Sequence, residues 1–164
     1  MPEDVEARRA LGHNAEISRM FGAAVPVTAT MTHEAAARWI DRLDQEGVVA
    51  WIVEAEGSFL GSARLHSFDG RGGARYAVGL LDARRLGRGL GAETTRLVLD
   101  YAFGPLGLER IELVTLEINE RGRRCFERCG FRTVCRVPDA AVIDGTSYDD
   151  LLMEVTRSST SRWS

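Results

Sequence analysis

The chain contains no lysine: all 21 of its basic residues are arginine. A P-loop nucleotide site requires Gly-x-x-x-x-Gly-Lys-Ser/Thr, so that chemistry is excluded at once. Cysteine is scarce and odd in number, with Cys125, Cys129 and Cys135 in 164 residues. Three thiols make a poor disulfide framework, and Cys125 and Cys129 at i, i+4 have no second pair to complete a zinc site. The expectation is reduced thiols, a cytoplasmic location and no metal. No apolar run approaches the roughly 18 residues of a membrane span. The charged opening, Met1 to Ala10, lacks the apolar stretch and cleavage site of a secretory leader. Nor is there a basic surplus. The chain has 24 acidic residues and a net charge of −3, so neither nucleic acid nor membrane is expected as a partner. The local cluster Arg84, Arg85, Arg88, Arg121, Arg123 and Arg124 is the one feature that speaks for nucleic acid.

Hydrophobic residues make up 45% of the chain, enough to build a sizeable core. No repeat, linker or low-complexity tract divides it. Pro2-Glu3-Asp4 opens a helix with acids in its first turn, and a second short helix is expected over Asn14–Phe21. Gly22–Thr30, with Pro26, reads as a loop. Thr32 caps a helix whose apolar stripe is Trp39, Ile40 and Leu43, ended by Gly47. Val48–Ala55 and Phe59–His66 form a hairpin around Glu56-Gly57. Tyr76–Leu81 is a short strand, followed by a glycine-rich turn and a helix with Ala92, Leu97, Val98, Tyr101 and Ala102 on its buried face. Ile111–Ile118 is a strand, Glu120–Cys129 a helix closed by Gly130, Phe131–Val137 a strand, and Tyr148–Val155 the last strand. The polar tail is expected to fray. This order implies an α/β (α+β) fold with a mixed sheet.

The segment Arg84-Arg85-Leu86-Gly87-Arg88-Gly89-Leu90-Gly91 carries the chemistry. It joins a strand to a helix. A tight turn there aims successive backbone N–H groups into one concavity, and the helix adds its unpaired N-terminal donors and the positive end of its dipole. Glycines allow the required φ values and a close backbone approach. Such a cup suits phosphate oxygens. The dinucleotide fingerprint Gly-x-Gly-x-x-Gly does not fit, because the spacing here is Gly-x-Gly-x-Gly and the preceding strands form a hairpin.

Arg84-x-x-Gly87-x-Gly89 resembles the Arg/Gln-x-x-Gly-x-Gly/Ala signature of the GNAT superfamily of N-acetyltransferases. Downstream, Arg110-Ile111-Glu112, Asn119, Arg124, Glu127 and Gly130-Phe131 resemble the matching block of its RimJ/RimL-like branch, named for ribosomal-protein N-terminal acetyltransferases. Gly91-Ala92-Glu93 resembles the segment that follows the turn in that branch. The resemblance implies a single GNAT-like domain over 1–156 with a flexible tail at 157–164. The sheet would be mostly antiparallel and flanked by helices, with a central splayed parallel strand pair. It implies acetyl-CoA as co-substrate and an amine acceptor, either a peptide N-terminus or a small molecule. Backbone around Leu80 and Leu81 would contact the pantetheine arm. Arg84, Leu86, Gly87, Arg88, Gly89, Leu90 and Gly91 would hold the pyrophosphate, with Asn119 on the arm and Arg124 reaching a phosphate.

Three departures accompany the resemblance. Many family members place a proton-donating tyrosine seven residues after the asparagine, where this chain has Phe126. Cys125 or water then becomes the candidate acid, and Glu112 the candidate base. Glu93, Glu117, His66 and Asp149 are lesser candidates. The family's opening strand has no counterpart before the first helix, which leaves a sheet edge for another segment or a second subunit and makes a homodimer plausible. Arg75 stands where the branch often has glutamate. Phe126 and the shortened start also keep open a non-catalytic acyl-CoA-binding or sensing module.

Overall fold

The computed structural model describes residues 2–22 and 30–160. Most of the expected loop 22–30 and the end of the tail lie outside the described residues. The elements in chain order are α1 (Pro2–Leu11), α2 (Ala15–Met20), α3 (His33–Asp41), β1 (Val49–Ala55), β2 (Ser58–His66), β3 (Gly73–Leu80), a 3-10 turn (Ala83–Arg85), α4 (Leu90–Phe103), β4 (Arg110–Leu116), α5 (Glu120–Arg128), β5 (Arg132–Ile143), β6 (Thr146–Thr156) and α6 (Arg157–Thr160).

Local chemistry explains most of these limits. Asn14 caps α2 through its side chain on the amide of Ile17, and Thr32 caps α3 on that of Ala35, each satisfying a donor the helix cannot. α3 ends at Asp41 rather than near Gly47, which instead sits at φ +76° in the following turn. Glu56-Gly57 and Asp144-Gly145 both have positive φ at successive residues, the geometry that closes a two-residue hairpin. β5 runs six residues past the expected end at Val137, to Ile143, resuming its pairing with β6 after a register shift between Val137 and Ala141. The first residues of the expected tail form α6, where Arg157 pairs with Glu109 at 2.8 Å and donates to the carbonyl of Phe103.

The six strands lie in the order β1-β2-β3-β4-β6-β5. All neighbours are antiparallel except β3 and β4. α4 and α5 cover one face. On α4 the buried residues are Thr95, Val98, Leu99, Ala102 and Phe103, the i, i+3, i+4, i+7, i+8 stripe of an amphipathic helix. The expected stripe is therefore out of phase at two positions: Leu97 is 66% exposed and Tyr101 40%. The true stripe meets Leu65, Tyr76, Ile111, Phe131 and Met153 in the main core, each large side chain contributing about 1.5–3 kcal/mol by leaving water. α1 and α3 form a smaller cluster around Val5, Met31 and Ala36. The Arg8 guanidinium is buried there, bonded to the Gly12 carbonyl at 2.8 Å and lying over the Trp39 ring at 5.2 Å.

The parallel pair governs the site. β3 and β4 pair only from Gly73 to Arg75 against Arg110 to Glu112. Beyond that, each strand follows its antiparallel partner. β3 stays with β2 as far as Gly61–Leu80, and β4 stays with β6 from Arg110–Thr156 to Leu116–Asp150. A Cβ at Gly61 would lie 1.8 Å from the Gly79 carbonyl oxygen, so only glycine lets β2 hold β3 this tightly. The Leu81 amide continues that attachment, donating to the Leu60 carbonyl at 2.7 Å. Sheet twist then rotates the two partnerships apart.

Candidate active site

The divergence of β3 and β4 opens a cleft of about 850 Å³. β3, β4 and α5 line it, and the glycine-rich turn borders it. Leu80, Leu86, Gly87, Gly89, Gly91, Asn119, Arg124, Cys125 and Phe126 all border it. Tyr76, Val78 and Leu113 to Leu116 also border it, on stretches where β3 and β4 no longer pair.

Asp82, buried at the end of β3, builds the turn. Its carboxylate accepts from the Arg84 amide at 3.1 Å and from Arg84 Nε at 3.0 Å, with Arg85 Nε at 3.6 Å. The Arg84 hydrogen bond holds the Asp82 carboxyl below the usual carboxylate range. Arg85 also donates to the Ala55 carbonyl at 2.9 Å, fastening the turn to the β1–β2 hairpin. Arg84 and Arg85 thus brace the turn, and their guanidinium groups do not border the cleft. Gly87 and Gly89 then take φ of +79° and +84°, in the left-handed region that carries a penalty for any side chain. Among the described residues, none accepts from the amides of Gly87, Arg88 and Gly89. The first amides of α4 likewise have no intrahelical acceptor. The result is a cup of free N–H groups at the positive end of a 14-residue helix, suited to anionic oxygens.

Of the other residues singled out in the sequence, Leu81, Arg88, Leu90 and Glu112 do not border the cleft. Asn119 caps α5, accepting from the Gly122 amide at 3.0 Å while its Nδ2 donates to Thr115 at 3.3 Å. One amide proton remains for a ligand. Arg124 pairs with Glu120 at 3.1 Å. Glu112 lies at the closed end of the parallel pair, 3.7 Å from Arg110 Nε and in register with Arg75. Asp149 is held by Arg136 and accepts from the Asp139 amide at 3.0 Å. Glu117 is bound to Arg136 at 2.6 Å and accepts from the Asp149 amide. His66 bonds to Ser67 at 2.9 Å; burial, then Arg64 and Arg75, press its pKa down.

Two thiols and a phenol sit beside the cleft. Cys125 borders it, while Cys129 is buried one turn on. Cys129 Sγ donates to the Ala92 carbonyl at 3.5 Å; the neighbouring Cys129 thiol lowers the Cys125 pKa, and the Cys125 thiol together with burial raises that of Cys129. Burial raises Tyr76, whose hydroxyl meets Thr95 at 3.1 Å. Phe126 packs edge-on between Tyr76 and Phe131, with centroids 6.4 and 5.9 Å away.

Asp150, not singled out in the sequence, borders the cleft from β6. Burial raises its pKa above the ordinary aspartate value. It stands opposite Leu116. Facing residues of an antiparallel pair share a side of the sheet, so Asp150, Leu116 and Val114 lie on the face away from the core of α4 and α5. The cleft therefore passes through the sheet, with the amide cup on one side and Asp150 on the other. The sequence signal was ambiguous, because Asp149 and Asp150 are adjacent and only register separates their faces.

The chain is thus a mixed α/β protein with a split parallel pair that ends in an amide-lined turn. The comparisons with known proteins agree. The family model described as "Acetyltransferase (GNAT) domain" matches residues 1–132, and the chain belongs to this acetyltransferase family. Its sequence is similar to "Putative ribosomal N-acetyltransferase YdaF" of Bacillus subtilis (strain 168), 28% identical over 107 residues. That match covers 65% of this chain and 57% of the relative, so the chain spans little more than half of that protein's length. The fold is similar to spermidine N-acetyltransferase from Vibrio cholerae, solved in complex with CoA and spermine, with a TM-score of 0.79 and 19% identity over 96% of this chain and 92% of that one. It is also similar to a GNAT-family acetyltransferase from Bacillus anthracis, with a TM-score of 0.77 and 16% identity over 95% and 90% of the two chains. The mixed sheet with one parallel pair, expected from the sequence, is the fold these proteins share.

Proposed function

We propose that the chain transfers an acetyl group from acetyl-CoA directly to a primary amine, either a small-molecule amine or a peptide α-amine. The observation that carries this reading is the set of free amides from Gly87 to the start of α4, placed at one end of a cleft that crosses the sheet. Leu86, Gly87, Arg88, Gly89, Leu90 and Gly91 offer backbone N–H groups to the diphosphate. Arg84 acts through Asp82 by shaping the turn, and Arg124 and Arg128 supply positive charge from α5. The unpaired edges of β3 near Leu80 and of β4 near Leu113 can hydrogen-bond an extended pantetheine arm as an added strand would. Asn119 has one amide proton for the same arm.

The thioester carbon would then lie between the diverging strands. Attack requires a neutral amine, so a carboxylate that accepts the ammonium proton, directly or through water, lowers the barrier. Asp150 borders the cleft and Glu112 does not, which favours Asp150 for this role. The nitrogen–carbon bond forms, the carbon–sulfur bond breaks, and the departing sulfur takes a proton. Phe126 cannot supply that proton. Cys125 borders the cleft and carries one, with water as the other source. The residues that resemble the RimJ/RimL-like branch and the 28% match to a ribosomal N-acetyltransferase support including peptide α-amines among the acceptors.

Calorimetry with CoA, paired with acetyl-CoA-dependent thiol release over a panel of amines, tests the proposal. Binding with turnover on a primary amine is expected. No CoA affinity, or affinity with no turnover on any amine, would overturn it.

A further inference from the structure

The acceptor side of the cleft has one wall of distinct chemistry. Ile17, Met20 and Phe21 of α2 and its C-terminal end border the cleft, as do Val114 and Leu116 of β4. Glycine at position 79 admits this wall: a Cβ there would lie 3.3 Å from Phe21 Cζ. α2 is fastened at both flanks. Glu16 pairs with Arg121 of α5 at 2.8 Å. Arg19 donates to the Tyr148 hydroxyl at 2.9 Å, lies 5.9 Å from the centre of that ring, and is 3.8 Å from Asp144. The apolar wall is thus held across the cleft between α5 and the β5–β6 hairpin.

The charges within reach are few and unequal. Among the described residues that border the cleft, the carboxylates are Glu120 and Asp150, and Arg124 engages Glu120 at 3.1 Å. Arg121, Arg124 and Arg128 border it too. One carboxylate therefore remains for a cationic acceptor, and a second or third ammonium on the same molecule would meet arginines or apolar side chains. A charge taken into such surroundings without a partner is disfavoured.

From this arrangement we propose that the acceptor is a singly charged primary amine on an apolar body, its nitrogen at Asp150 and its body against Ile17, Met20 and Phe21. The inference rests on the acetyl-transfer reading and narrows it. It also separates this chain from a polyamine acetyltransferase despite the shared fold. Each buried methylene of the acceptor strengthens binding about fourfold, so a phenyl-bearing amine should gain over methylamine by more than tenfold in kcat/KM.

The test uses the full chain with acetyl-CoA and reads thiol release on 2-phenylethylamine, methylamine, spermidine and two tetrapeptides that begin with Phe or Gly. CoA affinity is measured separately by calorimetry. The expected order is 2-phenylethylamine above methylamine and spermidine, with kcat/KM at least tenfold apart. If the natural source is a peptide N-terminus, the Phe peptide exceeds both the Gly peptide and 2-phenylethylamine. The M20D variant should move the preference toward spermidine while CoA affinity stays unchanged. D150N should lower kcat/KM on all amines. Spermidine used as well as or better than 2-phenylethylamine, or the M20D variant keeping the wild-type order, overturns this inference alone. CoA binding without acetylation of any amine, or no CoA binding, overturns the acetyl-transfer reading and this inference together.

Discussion

Alanine at Gly87 or Gly89 separates backbone conformation from every other role of the turn. Both glycines have left-handed φ, and a Cβ at either would meet no atom within 4 Å. The substitution therefore adds no clash and removes no contact. What it adds is the left-handed penalty, about 1–2 kcal/mol for an L residue. For a chain of this size each kcal/mol lowers Tm by roughly 2–4 °C, so the expected drop is about 2–8 °C. Gly57 supplies the control. It has φ +69°, an equally open surrounding, and a place in the β1–β2 hairpin, which Arg85 reaches at Ala55 but which contributes no amide to the cup.

Gly57→Ala should therefore cost comparable stability. The three variants should part company in CoA binding. If relief of the strain turns even one amide out of the cup, the hydrogen bond lost to a charged oxygen is worth about 1.5–3 kcal/mol, or roughly tenfold to hundredfold in Kd. Thermal melts and calorimetric titration with CoA measure both quantities. A loss of CoA affinity in the Gly87 and Gly89 variants no larger than that of Gly57→Ala would refute the amide cup as the diphosphate site.

Three further outcomes are expected. Asp150→Asn should raise Tm near neutral pH while lowering kcat/KM: burial holds the folded pKa above the unfolded value, so this carboxyl favours folding below the unfolded pKa of about 3.9 and that contribution is lost as pH rises through the folded pKa. The variant's advantage should accordingly shrink on acidification, and an advantage that grows in acid would contradict the burial argument. Gly91→Ala gains up to about 1 kcal/mol of helix propensity, but its Cβ would lie 3.3 Å from Cys125 Sγ; denaturant melts should show it more stabilising in a Cys125→Ala background than alone, and equal effects would mean that the thiol does not crowd it. Phe131, 2% exposed, should cost about 3–5 kcal/mol as alanine, whereas Leu97→Gln should stay within about 0.5 kcal/mol; a large Leu97 effect would restore the stripe first read from the sequence.

The two halves of the site differ in how they are encoded, and that explains what the sequence made legible. The proposed cofactor half is local. Gly87 and Gly89 are needed for their own φ, and α4 begins at the next residue, so the chemistry can be read within ten consecutive residues. The parallel pair was legible for a similar reason, since a strand, a helix and a strand in succession imply a crossover. Asp82 was missed, although an acid at a strand end two residues before an arginine-rich turn is itself a capping signal. The phase of α4 was misread because Leu97 and Tyr101 are large and apolar while Thr95, which is fully buried, is not.

The proposed acceptor half depends on contacts between distant segments. Glu112 and Asp150 lie on the same face of the sheet, but Glu112 faces Glu154 while Asp150 faces Leu116. The four residues between those registers amount to about 13 Å along the strand, enough to place one carboxylate at the closed end of the pair and the other in the cleft. Composition cannot rank two acids that only the β4–β6 register tells apart. The structure fixes that register beside the site. Glu117 accepts from the Asp149 amide at 3.0 Å and binds Arg136 at 2.6 Å, and Arg136 in turn holds Asp149. A slip of one residue would bring Asp149 to the cleft face and turn Asp150 toward the core of α4 and α5. On the proposed mechanism the ion-pair cluster thus has a consequence for chemistry: it selects which aspartate faces the cleft.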